Sequence, residues 1–337
     1  MNLDRCKIKN IILRYFGMSD YTLYGIIGFS ASLYCAEDVL AKTVDISVGG
    51  HKGKLTLPSL PDWGESESDP LHKPLLPPDN AKEWKRGEKP LYWGRPLSYP
   101  SGNASVELAL LEIKLNDNHL ESVSQDIYKN YSSWLNLFRQ YVILLTKQNT
   151  YSRVTGGDHS DHLELLINGE EGLKSIHRTN KPVITVQISD VDHALHFEHF
   201  KKAADLSSKN YSPRLEYQML LQAYLAQEDG DYRKAIIEAS SALEISITSR
   251  IMEEFQSQRI SFGLKLLEKY RMLGGRFELV RVLGIPLPVK DYKKLVIGPR
   301  NDVIHKAKFP EQKIANQVIT EVEELLQLFS PKIYQDK

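Results

Sequence analysis

Three residues near the C-terminal end of the chain, Arg300, Asn301 and His305, have the types and spacing to act on a phosphodiester. Arginine is permanently charged and can bind a phosphate through two parallel hydrogen bonds. Histidine takes up or gives a proton near neutral pH. Pro299 suits the first position of a helix, where its missing N–H costs nothing, so we expect the motif to fill the opening turns of a helix. A phosphate-binding group beside a proton-transfer group is the smallest set of groups that could cleave RNA without a metal.

The helical spacing predicts how these side chains would be arranged. Five residues on an ideal helix separate Arg300 from His305 by about 140°, so the two would flank a groove. Asn301 and His305 are four residues apart and share a face, so Asn301 could orient the imidazole or bind phosphate. One copy of the motif lacks a second proton-transfer group, which a symmetric dimer would supply. The competing interpretation is that these are ordinary polar residues at the start of a surface helix.

Local charge around the motif is positive, although the formal net charge of the chain is zero. Eleven lysines and arginines against four acidic residues lie between Lys269 and Lys313. Such a segment attracts a polyanion and makes its binding depend on salt. We therefore expect five lysines to bind RNA, and a solvated basic face is the alternative. They are Lys290, Lys293, Lys294, Lys306 and Lys308.

Two groups of histidines and aspartates raise the question of a metal site. One group contains Asp158, His159, Asp161 and His162, and the other contains Asp190, Asp192, His193, His196 and His199. Zinc would accept three histidines and a carboxylate. No recognised spacing such as His-Glu-x-x-His is present, so solvated histidines are the preferred interpretation. We predict neither a metal nor a cofactor, and a metal-dependent enzyme is the third hypothesis.

Length and composition limit the class of protein. A chain of 337 residues is long enough for two domains, each with its own core. Two cysteines do not suggest a disulfide framework, and a reducing cytoplasm fits them best. The longest apolar run, around Gly25 to Ala36, is too short and too interrupted to span a bilayer. We therefore predict a cytoplasmic protein without a membrane partner.

The two halves of the chain follow different patterns, which predicts an α+β fold. Short β-rich runs and one long helix over 122–148 indicate a β-rich region at 1–200. The strands are predicted at 22–34, 43–48, 53–57, 105–115, 163–167 and 182–188, with a hairpin at Gly49-Gly50-His51 and an irregular excursion over 62–100. Residues 205–337 predict an all-α bundle. Its helices are expected at 213–227, 232–255, 261–273 (ending at Gly274-Gly275) and 290–296, with two more opened by Pro299 and Pro310.

The C-terminal half, over about residues 211–332, resembles a HEPN domain. That family is a helical bundle with an Arg-x(4–6)-His motif, which Arg300 and His305 match, and Asn301 matches the polar residue that commonly follows the arginine. The segment Gly230 to Glu244 is similar to the family's second helix. The resemblance implies a metal-independent endoribonuclease that works as a homodimer. A β-rich half fused to such a domain resembles ApeA-like anti-phage and toxin proteins. The alternative is a non-catalytic HEPN module for dimerisation or as an adaptor.

Overall fold

The chain forms two compact units, Met1–Asn210 and Tyr211–Lys337, in a computed structural model. The structure describes residues 21–61, 70–72, 74, 85–86, 89–97, 102–115, 120–151, 162–169, 172–179 and 193–335. The first unit contains an antiparallel sheet, and the second is almost wholly helical. The predicted α+β fold class is confirmed.

The first unit is built on a seven-stranded sheet. Its strands are β1 (Tyr21–Cys35), β2 (Thr43–Val48), β3 (His51–Thr56), β6 (Gly94–Pro96), β7 (Ala104–Leu115), β8 (His162–Gly169) and β9 (Gly172–Arg178). Their order in the sheet is β2-β3-β7-β1-β8-β9, with β6 also paired to β7. The short pair β4 (Lys85–Arg86) and β5 (Lys89–Pro90) stands apart. The central strands β1 and β7 are buried almost throughout, whereas β2 alternates between exposed and buried residues as one-sided strands do.

Two helices cover this sheet, α1 (Leu120–Thr146) and α2 (Phe197–Ser208). Aromatic rings fill the space between them. The ring of Phe138 lies 6.0 Å from that of Phe200, edge to face, and 5.5 Å from that of Trp134. These large, fully or nearly fully buried side chains form the core of the first unit.

The second unit consists of helices that pack mainly around the longest of them, α4 (Tyr232–Ser257). In chain order they are α3 (Leu215–Glu228), α4 (Tyr232–Ser257), α5 (Gly263–Lys269), α6 (Leu273–Val282), a π-helical turn (Lys293–Ile297), α7 (Gly298–Lys306) and α8 (Gln312–Phe329). Small and branched residues of α4, among them Ala235, Ala239 and Ala242, are fully buried and allow close packing of the neighbouring helices.

The two ends of this second unit meet. A pair of two-residue strands, β10 (Ser212–Pro213) and β11 (Tyr334–Gln335), is antiparallel, so the unit is not purely helical. The rings of Tyr211 and Tyr334 stack 5.1 Å apart. The hydroxyl of Tyr217 donates to the carbonyl of Ser330 at 2.7 Å. The first and last turns of the unit are thereby fastened together.

Several sequence predictions are confirmed, and others are wrong in instructive ways. The hairpin is confirmed, because Gly49 and Gly50 both have positive φ and Val48 pairs with His51. The helix end predicted at Gly274-Gly275 is wrong, since both glycines lie inside α6. A Cβ on Gly275 would lie 3.2 Å from the Cα of Tyr270, so this glycine permits close approach of the chain instead of ending a helix.

Two further predictions concern the excursion over 62–100 and the strand over 182–188. The excursion is not wholly irregular where it is described, because β6 joins the sheet and Trp93 is buried. The strand predicted at 182–188 lies outside the described residues.

Candidate functional site

The helix that carries the motif, α7, grows directly out of the π-helical turn. The N–H of Gly298 donates to the carbonyl of Lys293, and Pro299 follows with no N–H to donate. A Cβ on Gly298 would lie 3.0 Å from that same carbonyl oxygen, which is tighter than ordinary packing. The helices predicted at 290–296 and from Pro299 are therefore one continuous helical segment, and π turns of this kind frequently lie at functional sites.

Arg300 points from α7 towards α4. One of its terminal guanidinium nitrogens, Nη2, lies 3.6 Å from Oε2 of Glu244, and the arginine side chain is only 22% exposed. The distance is that of an ion pair and exceeds that of a hydrogen bond. The contact holds the guanidinium against the unit while leaving part of it accessible to a ligand.

A second arginine shares the neighbourhood of Glu244. Arg276, on α6, has a guanidinium whose pKa is lowered by burial, an effect that the carboxylate of Glu244 opposes. The Nε and Nη1 atoms of Arg276 are buried and have no hydrogen-bond partner within the described residues. Helices α4, α6 and α7 thus bring two cations to one carboxylate, an arrangement that retains positive charge for an anion.

His305 occupies the last turn of α7 and is exposed, whereas Asn301 is half-buried one turn earlier. No hydrogen bond joins the Asn301 amide to the imidazole among the residues that the structure describes. Residues 211–337 contain no other histidine, so one copy of the second unit offers a single imidazole.

The five lysines expected to bind RNA fall into two groups in the structure. Lys290 lies 3.0 Å from a carboxylate oxygen of Glu321 and also contacts Glu324, and hydrogen bonds to both carboxylates raise its pKa. Lys306 and Lys308 bind the two oxygens of Asp302 at 2.7 Å and 2.8 Å, which lowers the pKa of that carboxyl.

Lys293 and Lys294 are exposed and have no carboxylate partner within the described chain. The local excess of positive charge is therefore smaller than the sequence count suggests, because Glu244, Glu321 and Glu324 reach this region from outside the counted segment.

Two histidines of the groups considered for a metal, His162 and His196, lie beside carboxylates. Nδ1 of His196 lies 3.2 Å from Oδ1 of Asp38, and the rings of His196 and His199 are 6.3 Å apart. Burial, with a smaller effect of His196, lowers the pKa of His199. His162 is buried and lies 3.7 Å from Glu164 through its Nε2 atom. Within the described residues no group of three or more His, Cys, Asp or Glu side chains is placed to hold a metal.

Five members of the histidine groups lie outside the described part of the chain: Asp158, His159, Asp161, Asp190 and Asp192. The same is true of the greater part of the segment around them.

Sequence reasoning did not assign a role to Glu244 or Arg276. Glu244 lies on α4, and only the packing of α7 on that helix brings it to Arg300. Nothing local in the sequence marks Arg276, since only the packing of α6 on α4 brings it to Glu244.

Comparisons with protein-family models, with curated proteins and with solved structures yield no match. None of the helices in the described part of the chain is long and apolar enough to cross a bilayer. The arrangement of Arg300, Arg276, Glu244 and His305 is thus the basis for a functional proposal.

Proposed function

We propose that the second unit is a metal-independent endoribonuclease of the HEPN type, acting as an anti-phage defence or toxin effector in the cytoplasm. The observation that carries the proposal is the half-buried guanidinium of Arg300, which Glu244 of α4 contacts. Arg300 lies on α7, the helix that also presents the exposed His305. The proposal is supported because a guanidinium, which suits a phosphate, and an accessible imidazole, which suits proton transfer, lie on one short helix.

The chemistry uses the nucleophile that RNA itself carries, the 2′-OH. The 2′-oxygen attacks the adjacent phosphorus while the bond from phosphorus to the 5′-oxygen breaks, which leaves a 2′,3′-cyclic phosphate. His305 accepts the 2′-OH proton or donates one to the leaving 5′-oxygen, a contribution of about 10²–10⁴-fold in rate. Arg300 stabilises the charge that develops on the phosphoryl oxygens, and Arg276 adds to the positive potential.

A homodimer supplies the second proton-transfer group. With one histidine in residues 211–337, a single copy cannot provide both an acid and a base from imidazole groups. An isologous interface brings two copies of His305 together if the α7 helices face each other. The first unit would then sense a trigger, restrain the nuclease or bind substrate.

Cleavage of RNA in the presence of EDTA tests this proposal. We expect the purified chain to leave 2′,3′-cyclic phosphate ends, and we expect His305→Ala to abolish cleavage. Because His305 is exposed, the free energy of unfolding should change by less than about 1 kcal/mol. Lys265→Ala, a change of an exposed residue on α5, is the matched control and should cleave like the parent. A His305→Ala protein that cleaves as fast as the parent would remove this residue from the mechanism.

One observation favours a second candidate, a non-catalytic dimerisation or adaptor module. Glu244 partly neutralises Arg300, and three of the five lysines around the motif bind carboxylates of the same unit. A surface that satisfies its own charges suits a protein contact. This candidate predicts no cleavage by the parent at any concentration.

A further inference from the structure

Phe309 is an unusually exposed aromatic residue that follows the motif helix. Its side chain is 84% exposed, which leaves a large apolar ring in water. The guanidinium of Arg233 lies over the ring, 5.0 Å from its centroid. A guanidinium in this position covers one face of the ring and attracts its π-electrons, while the high exposure leaves the ring open on the other side.

The contacts of α4 place this ring in line with the motif. Arg233 and Glu244 are eleven residues apart on α4, which is about three turns, so they share one face and lie about 16 Å apart along the axis. Glu244 contacts Arg300, and Arg233 contacts Phe309. The chain from Arg300 to Phe309 therefore runs antiparallel to α4, and in the sequence His305 lies between its two points of contact.

Together, these side chains supply the groups that binding and cleavage of a single nucleic-acid strand require. Arg300 can bind a phosphate, His305 can transfer a proton, and an exposed ring backed by a guanidinium can stack on a base. Unpaired bases are bound in this way by aromatic side chains and arginine planes, whereas the bases of a duplex are already stacked on each other.

We propose that Phe309, supported by Arg233, is a stacking platform for an unpaired base of a strand whose phosphate lies at Arg300. The proposal rests on the proposed RNA-cleaving function and specifies its substrate as single-stranded. Contact with a second copy of the chain would be another use of an exposed ring. The surroundings of Phe309 favour nucleic acid, because Lys306 and Lys308 share the single carboxylate of Asp302 and Arg233 adds a further positive charge beside the ring.

Fluorescence anisotropy with the full chain tests the stacking. The probe is a single-stranded oligodeoxynucleotide of roughly twelve nucleotides, which lacks the 2′-OH and so cannot be cleaved by the proposed reaction. Phe309→Leu keeps an apolar side chain but removes the ring, and we expect it to weaken binding roughly 5- to 150-fold. Phe309→Trp should bind at least as tightly as the parent. A matched oligonucleotide of abasic sites has the same phosphates, and the parent and Phe309→Leu should bind it equally.

Phe262→Leu is the control for loss of an exposed ring, since Phe262 is 58% exposed just before α5. It should bind like the parent. The proposal is overturned if the parent does not bind the probe, if Phe309→Leu binds it like the parent, or if the parent does not discriminate against the abasic strand. It is also overturned if the substitution halves the mass in light scattering without changing binding, because the ring then contacts a second copy.

Failure of this proposal and failure of the cleavage proposal are distinguishable. The probe reports binding alone, so a parent that binds through Phe309 but never cleaves RNA supports the platform and rejects the nuclease. If the parent cleaves RNA and Phe309→Leu binds the probe as tightly as the parent does, the nuclease is supported and the stacking platform is rejected.

Discussion

At the scale of residues, the charge at the candidate site depends on how one carboxylate is divided between two arginines. Glu244 contacts Arg300 directly and acts on Arg276 through space. The pair of guanidinium groups outweighs the carboxylate, so the site keeps a positive charge even without ligand. A phosphate that approaches Arg300 therefore competes with Glu244.

Glu244→Gln tests this competition. The change preserves the size of the side chain and removes one negative charge, so binding of an uncleavable oligodeoxynucleotide should tighten by about 1.5- to 5-fold, the range for a partly exposed ion pair. RNA cleavage should fall if Glu244 also positions Arg300. Glu238→Gln, on the same helix and outside any ion pair of the described residues, controls for the change in net charge. Equal affinities for the parent and Glu244→Gln would contradict the competition.

At the scale of elements, the lysines before and after the motif differ in whether a carboxylate binds them. The π-helical turn presents Lys293 and Lys294 to solvent, whereas Lys306 and Lys308, beyond the motif, are bound to Asp302. The five lysines are consequently unequal in their availability to a ligand, although no sequence pattern separates them.

Reversal of Lys293 and Lys294 together to Glu should weaken binding of single-stranded RNA and flatten its dependence on salt. Each lost phosphate contact lowers the log–log slope by about 0.7 for single strands, so the double variant should lose about 1.4. The fold should persist because exposed lysines contribute little to the core. Titrations at several salt concentrations measure the slope, with His305→Ala as background to prevent cleavage. Lys306 and Lys308 reversed together should give a smaller change, and an identical change in both pairs would contradict the distinction.

Strand β7 contains a buried acid that should make the first unit sensitive to pH. Glu107 is 7% exposed and lies where β1 bulges between Gly28 and Leu33. Burial raises its pKa to about 7 from 4.5, and Arg95 offsets part of the effect. A raised pKa in the folded state favours the protonated carboxyl. The contribution to stability is thus complete below pH 4.5, declines as the pH rises to about 7, and is absent above that value.

Urea unfolding of the parent and Glu107→Gln at about pH 4 and about pH 8 measures this effect. All four tryptophans precede Tyr211, so tryptophan fluorescence reports the first unit. The parent should lose up to about 3 kcal/mol more than the glutamine variant between the two conditions. A parallel pH dependence of the two proteins would show that Glu107 titrates normally.

At the scale of the whole molecule, the single histidine of residues 211–337 makes the proposed reaction depend on association. We expect light scattering of the full chain to give the mass of a dimer. RNase activity per chain should fall on dilution, because dissociation separates the two imidazole groups. A monomer with undiminished activity per chain at low concentration would contradict this expectation.

The sequence predicted the fold more completely than it predicted the candidate site. Regular periodicity predicted long elements well, and α4 and β2 begin at the predicted residues. Strand β9 was missed because its short, polar run, with His177 and Arg178, lacks a clear alternation of apolar residues. The motif itself was found from Arg300 and His305. The partners Glu244 and Arg276 lie on other helices, and no local pattern encodes which helices pack together.

Because Ser212–Pro213 pairs with Tyr334–Gln335, the two ends of the second unit are neighbours, and the unit could be transferred as a whole into another protein. The first and last residues of the unit lie side by side. A surface loop of another protein could therefore accept the unit while the strands on either side of that loop stay together. Recombination could then move the second unit as one piece between unrelated proteins. A segment cut after Pro213 or before Tyr334 would instead lack one of the two paired strands.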